Sequence, residues 1–410
     1  MALSWTVAFV FGLGLISTFS TIRNVYRLAT GREDLNFTQI IIKHGYQSEH
    51  HTVQTEDGYL LTIFRITEAA NCTKGKTKTP VLLMNGLLAS ADCFLDAGVK
   101  AGLPFLLSDA CFDLWVGNAR GTYYGRRHTT LNPDSDKEFW DFSVDEIGLH
   151  DVPATIDYVL NYTGAEKLNY VGISQGAGSF FVMCSERPGY CEKAKVLIGL
   201  APATRHTNAK SIVFRQITTI IRDHEKLLHT FGFWEFAWKG FADVFKTVCQ
   251  HKPEFCEAFI AYLDASHPGS ISIDSLKEAL EHFPAGTSLK NLARYGQSVN
   301  GERYCKFDYG HEKNMEIYGG DPPDFNLSAV SIPVVILQGK NDGIVDYSDV
   351  KWTIDRLPNV KEFVMIEDPL WNHLDMVIAN KIPELLFPKI LEYLLLYDGN
   401  GNGTTSIPES

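Results

Sequence analysis

The sequence predicts an α/β fold in which a mostly parallel central sheet carries a helical cap inserted between two of its strands. Short apolar runs alternate with helical patterns before residue 205 and again after residue 325, as expected for buried parallel strands covered on both faces. Between residues 205 and 325 this alternation stops, and helical patterns, aromatic residues and loops replace it. A serine flanked by glycines, Ser174, stands where one apolar run passes into a helical pattern.

The first part of the core is predicted over residues 34–204. A short helix over residues 34–48 ends near Gly45, and a hairpin follows with strands at Thr52–Gln54 and Tyr59–Ile66. Buried strands are then predicted at residues 80–84, at 112–116, around Tyr170 and Val171, and at 195–200. Helices are predicted over residues 145–161 and after Gly176, through Met183.

The rest of the chain is predicted to hold the cap and the second part of the core. Residues 205–325 form the helical cap or lid and contain no convincing buried strand. Residues 326–397 complete the core with strands at 333–337 and 361–366 and a closing helix over 383–397. Residues 398–410 are rich in Gly, Asn, Thr and Ser and predict a flexible tail.

Aromatic side chains recur at helical spacing in the predicted cap, at Trp234, Trp238, Phe241 and Phe245. A cap helix packed on the body would explain them, and so would a lid face that contacts lipid. Both interpretations can hold, because a lid face is buried when the lid is closed and wet when it is open. The isoleucines of residues 211–221 have the same two interpretations.

Composition excludes several classes of function. The chain has 410 residues, 45% of them hydrophobic and 21% charged, which is typical of a soluble globular protein. Its net charge of −12 argues against a nucleic-acid partner and against a polybasic membrane anchor. No cysteine or histidine spacing matches a zinc site.

The N-terminus indicates a secretory route. Residues 1–20 carry no charge and have an apolar core followed by a small-x-small ending, which predicts a signal peptide cleaved near Ser20. An uncleaved signal anchor is the alternative, although the apolar run is shorter than the roughly 20 residues that span a bilayer. Glycosylation sequons agree with secretion and lie at Asn36, Asn71, Asn161, Asn326 and Asn402.

Eight cysteines permit disulfides in an oxidising compartment. Cys249 and Cys256 flank a turn-rich segment and form the favoured pair, and Cys184 and Cys191 flank a similar segment.

The pentapeptide Gly172-Ile-Ser-Gln-Gly176 is a G-x-S-x-G motif placed between a strand and a helix. Such a turn holds the serine in a strained backbone with its hydroxyl exposed, so Ser174 is predicted to be a nucleophile. The alternative is an ordinary glycine-rich turn with a capping serine.

A serine nucleophile needs a base, and the base needs a carboxylate that orients it. In folds with this motif the acid and then the histidine follow the serine along the chain. Asp342 follows the strand predicted at 333–337, with Asp346 as the fallback, and His373 is the only histidine C-terminal to Asp342. The predicted catalytic residues are therefore Ser174, Asp342 and His373. The oxyanion is predicted to bind the backbone N–H groups of Leu87 and Gln175.

The chain resembles the acid lipase family of α/β hydrolases, to which gastric, lysosomal acid and insect digestive lipases belong. The motifs that carry the resemblance fall in family order between about residues 34 and 397: Asn85-Gly-Leu-Leu-Ala-Ser, Gly117-Asn-Ala-Arg-Gly, Phe139-Trp-Asp-Phe-Ser, Pro153-Ala-Thr-Ile-Asp, Gly172-Ile-Ser-Gln-Gly, Gly339-Lys-Asn-Asp and Asn372-His-Leu-Asp. Asn85 and Ile173 stand where family members usually have histidine, and this puts substrate preference, pH optimum and rate in question.

The resemblance implies a secreted serine lipase that hydrolyses triacylglycerols or steryl esters at an oil–water or membrane interface, with no cofactor and no metal. A carboxylesterase for water-soluble esters and a catalytically silent lipid-binding protein are the alternatives. Lysosomal delivery is left open, and a monomer is assumed.

Overall fold

The central sheet has eight strands, and the computed structural model describes them within residues 36–67, 72, 79–236 and 253–398. The strands are β1 (Ser48–Gln54), β2 (Leu60–Ile66), β3 (Val81–Met84), β4 (Leu114–Val116), β5 (Leu168–Ile173), β6 (Ala194–Leu200), β9 (Val334–Gln338) and β10 (Val360–Met365). Their spatial order is β1-β2-β4-β3-β5-β6-β9-β10. β1, β2 and β4 pair antiparallel, and all pairs from β4 to β10 are parallel. The fold is therefore an α/β hydrolase fold, as predicted.

Helices cover the sheet and fill the long connection between β6 and β9. The first five are α1 (Phe37–Lys43), α2 (Leu103–Asp109), α3 (Val144–Glu146), α4 (Val152–Thr163) and α5 (Gln175–Glu186). Between β6 and β9 lie α6 (Ile212–Thr230), α7 (Pro253–Leu263), α8 (Ile273–His282), α9 (Leu289–Val299) and α10 (His311–Tyr318). The last are α11 (Tyr347–Ile354), α12 (Asp375–Ile378), α13 (Ile382–Leu385) and α14 (Phe387–Asp398).

The strands in the middle of the sheet are apolar because both of their faces are covered. All residues of β3, β4, β5 and β9 are buried. Alternate side chains of one strand enter different clusters, so that Leu83 belongs to the cluster of Trp371 on one face and Leu82 to the cluster of Phe180 on the other. Parallel pairing places the carboxyl ends of β3, β5, β6, β9 and β10 at one edge of the sheet, where sites of open α/β sheets lie.

Several predicted boundaries were wrong. The helix predicted over 34–48 is only α1, because its chain leaves at His44 and enters β1 at Ser48. β1 is longer than predicted, since this edge strand is polar except for Val53 and so has no apolar run to mark its extent. The helix predicted over 145–161 contains a π-helical turn at Ile147–Asp151, and the closing helix is divided into α13 and α14.

The connection between β6 and β9 also holds a short strand pair that the sequence analysis missed. β7 (Glu235–Phe236) pairs antiparallel with β8 (Thr287–Ser288), and two-residue strands are too short to show periodicity. Of the aromatic stripe, Trp234 is partly buried and packs on the body, whereas Trp238, Phe241 and Phe245 lie outside the described residues. In α6, Ile221 is buried, while Ile212 and Ile220 are exposed.

Two disulfides form among the described cysteines. Cys184–Cys191 agrees with the second pair considered, and Cys72–Cys111 was not predicted. The favoured pair Cys249–Cys256 stays a prediction, because Cys249 lies outside the described residues. The predicted signal peptide at 1–20 and all of the predicted tail after Asp398 also lie outside them. Within the part of the chain that the structure describes, no helix is both long enough and apolar enough to cross a bilayer.

Candidate active site

Ser174 lies on a sharp turn between β5 and α5. Its φ of 52° and ψ of −119° place it in a left-handed conformation. This conformation is unfavourable for any residue other than glycine. Close packing also explains the flanking glycines. A Cβ on Gly172 would lie 2.6 Å from the Ala177 nitrogen, and one on Gly176 would lie 2.3 Å from the Met84 carbonyl oxygen. The G-x-S-x-G motif is therefore required by backbone packing at this turn.

Asp342 and His373 form a hydrogen-bonded pair at the same edge of the sheet. The His373 Nδ1 lies 2.8 Å from the Asp342 Oδ2. The other carboxylate oxygen, Oδ1, accepts the main-chain N–H groups of Ile344 at 2.9 Å and Val345 at 2.7 Å. Both side chains are buried. The fallback acid Asp346 instead caps α11 and pairs with Lys210 at 2.6 Å.

The pair alters the proton affinity of the imidazole. Burial lowers the pKa of His373, but the charge and hydrogen bond of Asp342, together with the charge of Asp264, outweigh burial and raise it. An Nδ1–H that donates to Asp342 leaves Nε2 of the neutral ring free to accept a proton.

Ser174 and His373 line the same cavity, which has a volume of about 240 Å³. Its walls come mainly from apolar side chains, among them Leu87, Ile173, Phe214, Ile217, Leu263 and Val377. A concave apolar site with a few convergent polar groups is the usual form of a small-molecule site.

The loop after β3 lies beside the serine. A Cβ on Gly86 would be 3.2 Å from the Ser174 Cβ, and Leu87 lines the cavity. Gln175, the first residue of α5, has a buried side chain whose Oε1 accepts from Asn291 Nδ2 at 2.9 Å and from the Tyr295 hydroxyl at 3.0 Å. These contacts fix the start of the helix that follows the serine.

The two residues that depart from the family pattern have different surroundings. Asn85 is buried and its Nδ2 donates to the Gly117 carbonyl at 3.2 Å and to Asn118 Oδ1 at 3.3 Å. Ile173 is buried directly before the serine and contributes an apolar side chain to the cavity wall.

Sequence reasoning missed two ionisable residues near this site. His206 follows β6, lines the cavity and contacts Ser298 Oγ through Nδ1 at 3.1 Å. Burial, with the nearby His373 and Arg294, lowers the pKa of His206 to about 3, so its ring is neutral. Asp264 follows α7 and is buried between the loops that carry Asp342 and His373. No local motif marks either residue.

A strained serine after a central parallel strand, with an Asp–His pair at the same sheet edge, defines the class of α/β hydrolases. A family model described as "alpha/beta hydrolase fold" matches residues 79–255, and one described as "Partial alpha/beta-hydrolase lipase region" matches residues 37–98. A soluble variant of monoglyceride lipase from Saccharomyces cerevisiae has the same fold, with a TM-score of 0.53 at 14% identity over 85% of this chain and 95% of that chain.

Whole-chain relatives define the family more narrowly. Lipase 1 of Drosophila melanogaster is 35% identical over 88% of this chain and 80% of that protein. Gastric triacylglycerol lipase of Bos taurus is 34% identical over 88% of this chain and 91% of its own length. Lysosomal acid lipase/cholesteryl ester hydrolase of Macaca fascicularis is 32% identical over 89% and 92%. The chain belongs to the acid lipase family of α/β hydrolases and is a serine ester hydrolase.

Proposed function

We propose that this chain is a secreted lipase that hydrolyses neutral lipid esters, triacylglycerols or steryl esters, through an acyl-enzyme on Ser174. The observation that carries the proposal is the hydrogen-bonded Asp342–His373 pair, whose histidine lines the same apolar cavity as Ser174. The names of the relatives support a lipid ester as substrate.

In the proposed reaction, the Ser174 oxygen attacks the ester carbonyl carbon while His373 Nε2 takes the hydroxyl proton. The tetrahedral intermediate collapses, and the imidazolium gives that proton to the departing alcohol. A water then repeats both steps on the acyl-enzyme, with His373 as base, and releases the fatty acid and the free serine. Asp342 holds the ring in one tautomer and stabilises the imidazolium that forms twice in each cycle.

We assign the oxyanion to the main-chain N–H groups of Leu87 and Gln175. The closeness of Gly86 to Ser174 supports a role for the loop after β3. The fixed start of α5 supports a role for Gln175, because its N–H follows the nucleophile directly.

The cavity suits an acyl chain, since its walls are mainly apolar. Burying methylene groups there would stabilise the complex by roughly 0.8 kcal/mol each. Ile173 adds to this wall where a histidine would bring a polar ring. Asn85 leaves the two proposed donors in place, because both of them are backbone groups.

The proposal includes a division of the chain and a destination. Residues 34–204 and 326–397 would form the hydrolase core, and residues 205–325 would form a cap over the cavity. Secretion after removal of residues 1–20 is supported by the two disulfides, which persist in oxidising compartments. Delivery to a lysosome would use the same route, and a monomer is the assumed state.

The test is Ser174→Ala in purified protein, with Ser185→Ala as the matched control in the helix that follows. A fluorophosphonate should label the wild type and S185A but not S174A. Hydrolysis by S174A should fall by about 10⁴-fold or more. An S174A protein that keeps wild-type activity on an emulsified ester overturns the proposal.

Substrate class is tested on the same protein. Fatty acid release should rise sharply when an ester exceeds its solubility limit, and rates on triglyceride and cholesteryl ester emulsions across a pH series would rank the two lipids. Activity confined to the dissolved ester would instead indicate a carboxylesterase, and a folded wild type without label would indicate a silent lipid binder.

A further inference from the structure

The segment just after α7, residues 264–270, contacts both loops that carry the proposed acid and base. Asp264 is 4% exposed. Its Oδ1 accepts the main-chain N–H of Gly343 at 2.8 Å, and its Oδ2 accepts that of Leu374 at 2.9 Å. Gly343 and Leu374 are the residues that follow Asp342 and His373. One buried carboxylate therefore joins the two loops one residue beyond each functional side chain.

The next two residues bind the other side of each loop. The Ala265 carbonyl accepts from Asn372 Nδ2 at 2.8 Å, and the Ser266 carbonyl accepts from Asn341 Nδ2 at 2.9 Å. Asn341 precedes Asp342, and Asn372 precedes His373. Both neighbours of the acid and both neighbours of the base are thus held by three consecutive residues.

Packing at Gly343 shows how closely the segment approaches the acid loop. A Cβ on Gly343 would lie 2.2 Å from the Asp264 carbonyl oxygen, so a larger residue cannot occupy this position without a backbone shift. Further along, His267 Nδ1 lies 2.6 Å from Asp375 Oδ2, and Ser270 Oγ donates to the same carboxylate. Five residues of the segment therefore contact the two loops: Asp264, Ala265, Ser266, His267 and Ser270.

We propose that Asp264 is a positioning residue for hydrolysis, which holds the loops of Asp342 and His373 at a fixed separation and places a second carboxylate beside the base. The proposal rests on the function proposed above. It assigns to the connection between β6 and β9 a direct part in the geometry of the base, in addition to any role as a cover.

Charge gives this role a signature that packing alone would not produce. Burial and the nearby Asp342 carboxylate raise the pKa of Asp264, and the Asp264 charge in turn helps to raise the pKa of His373. Other charged or titratable groups lie around this pair: His206 after β6, the Lys210–Asp346 ion pair, and the cluster of His267, Asp368 and Asp375. None of these groups is changed in the variants proposed below.

The test is Asp264→Asn, assayed on a dissolved p-nitrophenyl ester. The amide can accept only one of the two N–H bonds, so kcat should fall about tenfold or more with KM nearly unchanged. Loss of the negative charge disfavours the imidazolium, so the acid limb of kcat/KM should move to lower pH. Asp145→Asn is the matched control, because Asp145 is also a largely buried carboxylate that accepts a main-chain N–H, from Phe307 at 2.7 Å. In D145N the acid limb should stay in place.

A second variant covers the case in which D264N does not fold. Asn341→Ala removes the side chain that binds the Ser266 carbonyl and deletes no charge, so kcat should fall about three- to tenfold without a shift of the acid limb. A folded D264N with a wild-type pH profile overturns this inference alone, as does N341A with wild-type kcat if D264N is unfolded. If the wild type is not labelled at Ser174 by a fluorophosphonate, the proposed function fails and this inference fails with it.

Discussion

At the scale of single residues, hydrogen bonding distinguishes two neighbouring acids. Asp342 directs one oxygen to His373 and the other to two main-chain N–H groups, so its carboxylate is held against rotation. Asp346 lies four residues later and caps a helix while it pairs with Lys210. Of these two acids it is Asp342 that contacts the proposed base, although both were candidates from the sequence.

We predict that Asp342→Asn will lower kcat by about 10³- to 10⁴-fold, because an amide can donate to Nδ1 and stabilise the tautomer whose Nε2 cannot accept a proton. Asp346→Asn is the control and should change kcat by less than about threefold, since it affects a helix cap and an ion pair. Steady-state kinetics on a soluble ester measures both. A large loss in D346N with little loss in D342N would show that the acid is Asp346 and not Asp342.

Residues with a motif or a fixed order along the chain could be predicted, and residues placed only by the fold could not. The sequence pointed to Ser174 through its glycines, and to Asp342 and His373 through their places after predicted strands. Their catalytic roles remain predictions, while their positions at one sheet edge are now known. Asp264 stands 110 residues before its partner Leu374, and no spacing rule connects such distant positions.

At the scale of elements, continuous apolar runs located the parallel strands well. The run predicted at 333–337 corresponds to β9 (Val334–Gln338), and the run at 195–200 to β6. Short or amphipathic elements were not predicted. One example is α2, which has seven residues and a proline in its first turn. Elements of this length show too few periods for a pattern to emerge, and tertiary contacts decide their conformation.

Helix α8 is joined to the body by a buried ion pair. His282, its last residue, has Nδ1 3.0 Å from Asp96 Oδ1, and both side chains are at least nine-tenths buried. Burial lowers the pKa of His282, but Asp96 outweighs it and raises that pKa to about 9. Burial raises the pKa of Asp96 to about 6. Both members of the pair are therefore mostly ionised only between these two pKa values.

Because the pKa of His282 is higher in the folded chain than in the unfolded one, its stabilisation is present below about pH 6.5 and is lost as pH rises through about 9. We expect His282→Gln to lower the free energy of unfolding by about 2–3 kcal/mol at pH 6.5 and by clearly less at pH 9.5. Thermal unfolding at the two pH values measures this, with exposed His311→Gln as the control. An equal loss at both values would mean that the contact is not an ion pair.

At the scale of the whole molecule, the disulfides and the exposed sequons both support a secretory route. The Cys72–Cys111 disulfide closes a loop with a sequence separation of 39 residues and joins the region between β2 and β3 to the start of β4. Asn36, Asn161 and Asn326 are exposed. The side-chain oxygen of Asn36 caps α1, and that of Asn326 caps a short 3-10 helix at Leu327–Ala329. A glycan is attached to the side-chain amide nitrogen, which takes no part in either cap. A glycan on either residue is therefore compatible with the cap.

We accordingly predict that the full chain, expressed in secretory eukaryotic cells, will be recovered from the medium without residues 1–20 and with glycans on Asn36, Asn161 and Asn326. Peptide-N-glycosidase should lower its mass, and each Asn→Gln change should remove one step of that shift. Free-thiol labelling before and after reduction should show Cys72, Cys111, Cys184 and Cys191 oxidised, because the secretory pathway permits disulfides that the cytosol reduces. Asn300→Gln is the control, because Asn300 is exposed and lies in no sequon. Asn372→Gln would be unsuitable, since Asn372 binds the Ala265 carbonyl. A chain that stays inside the cell with its N-terminus intact and no glycan would contradict the secretory route while leaving the hydrolase site unaffected.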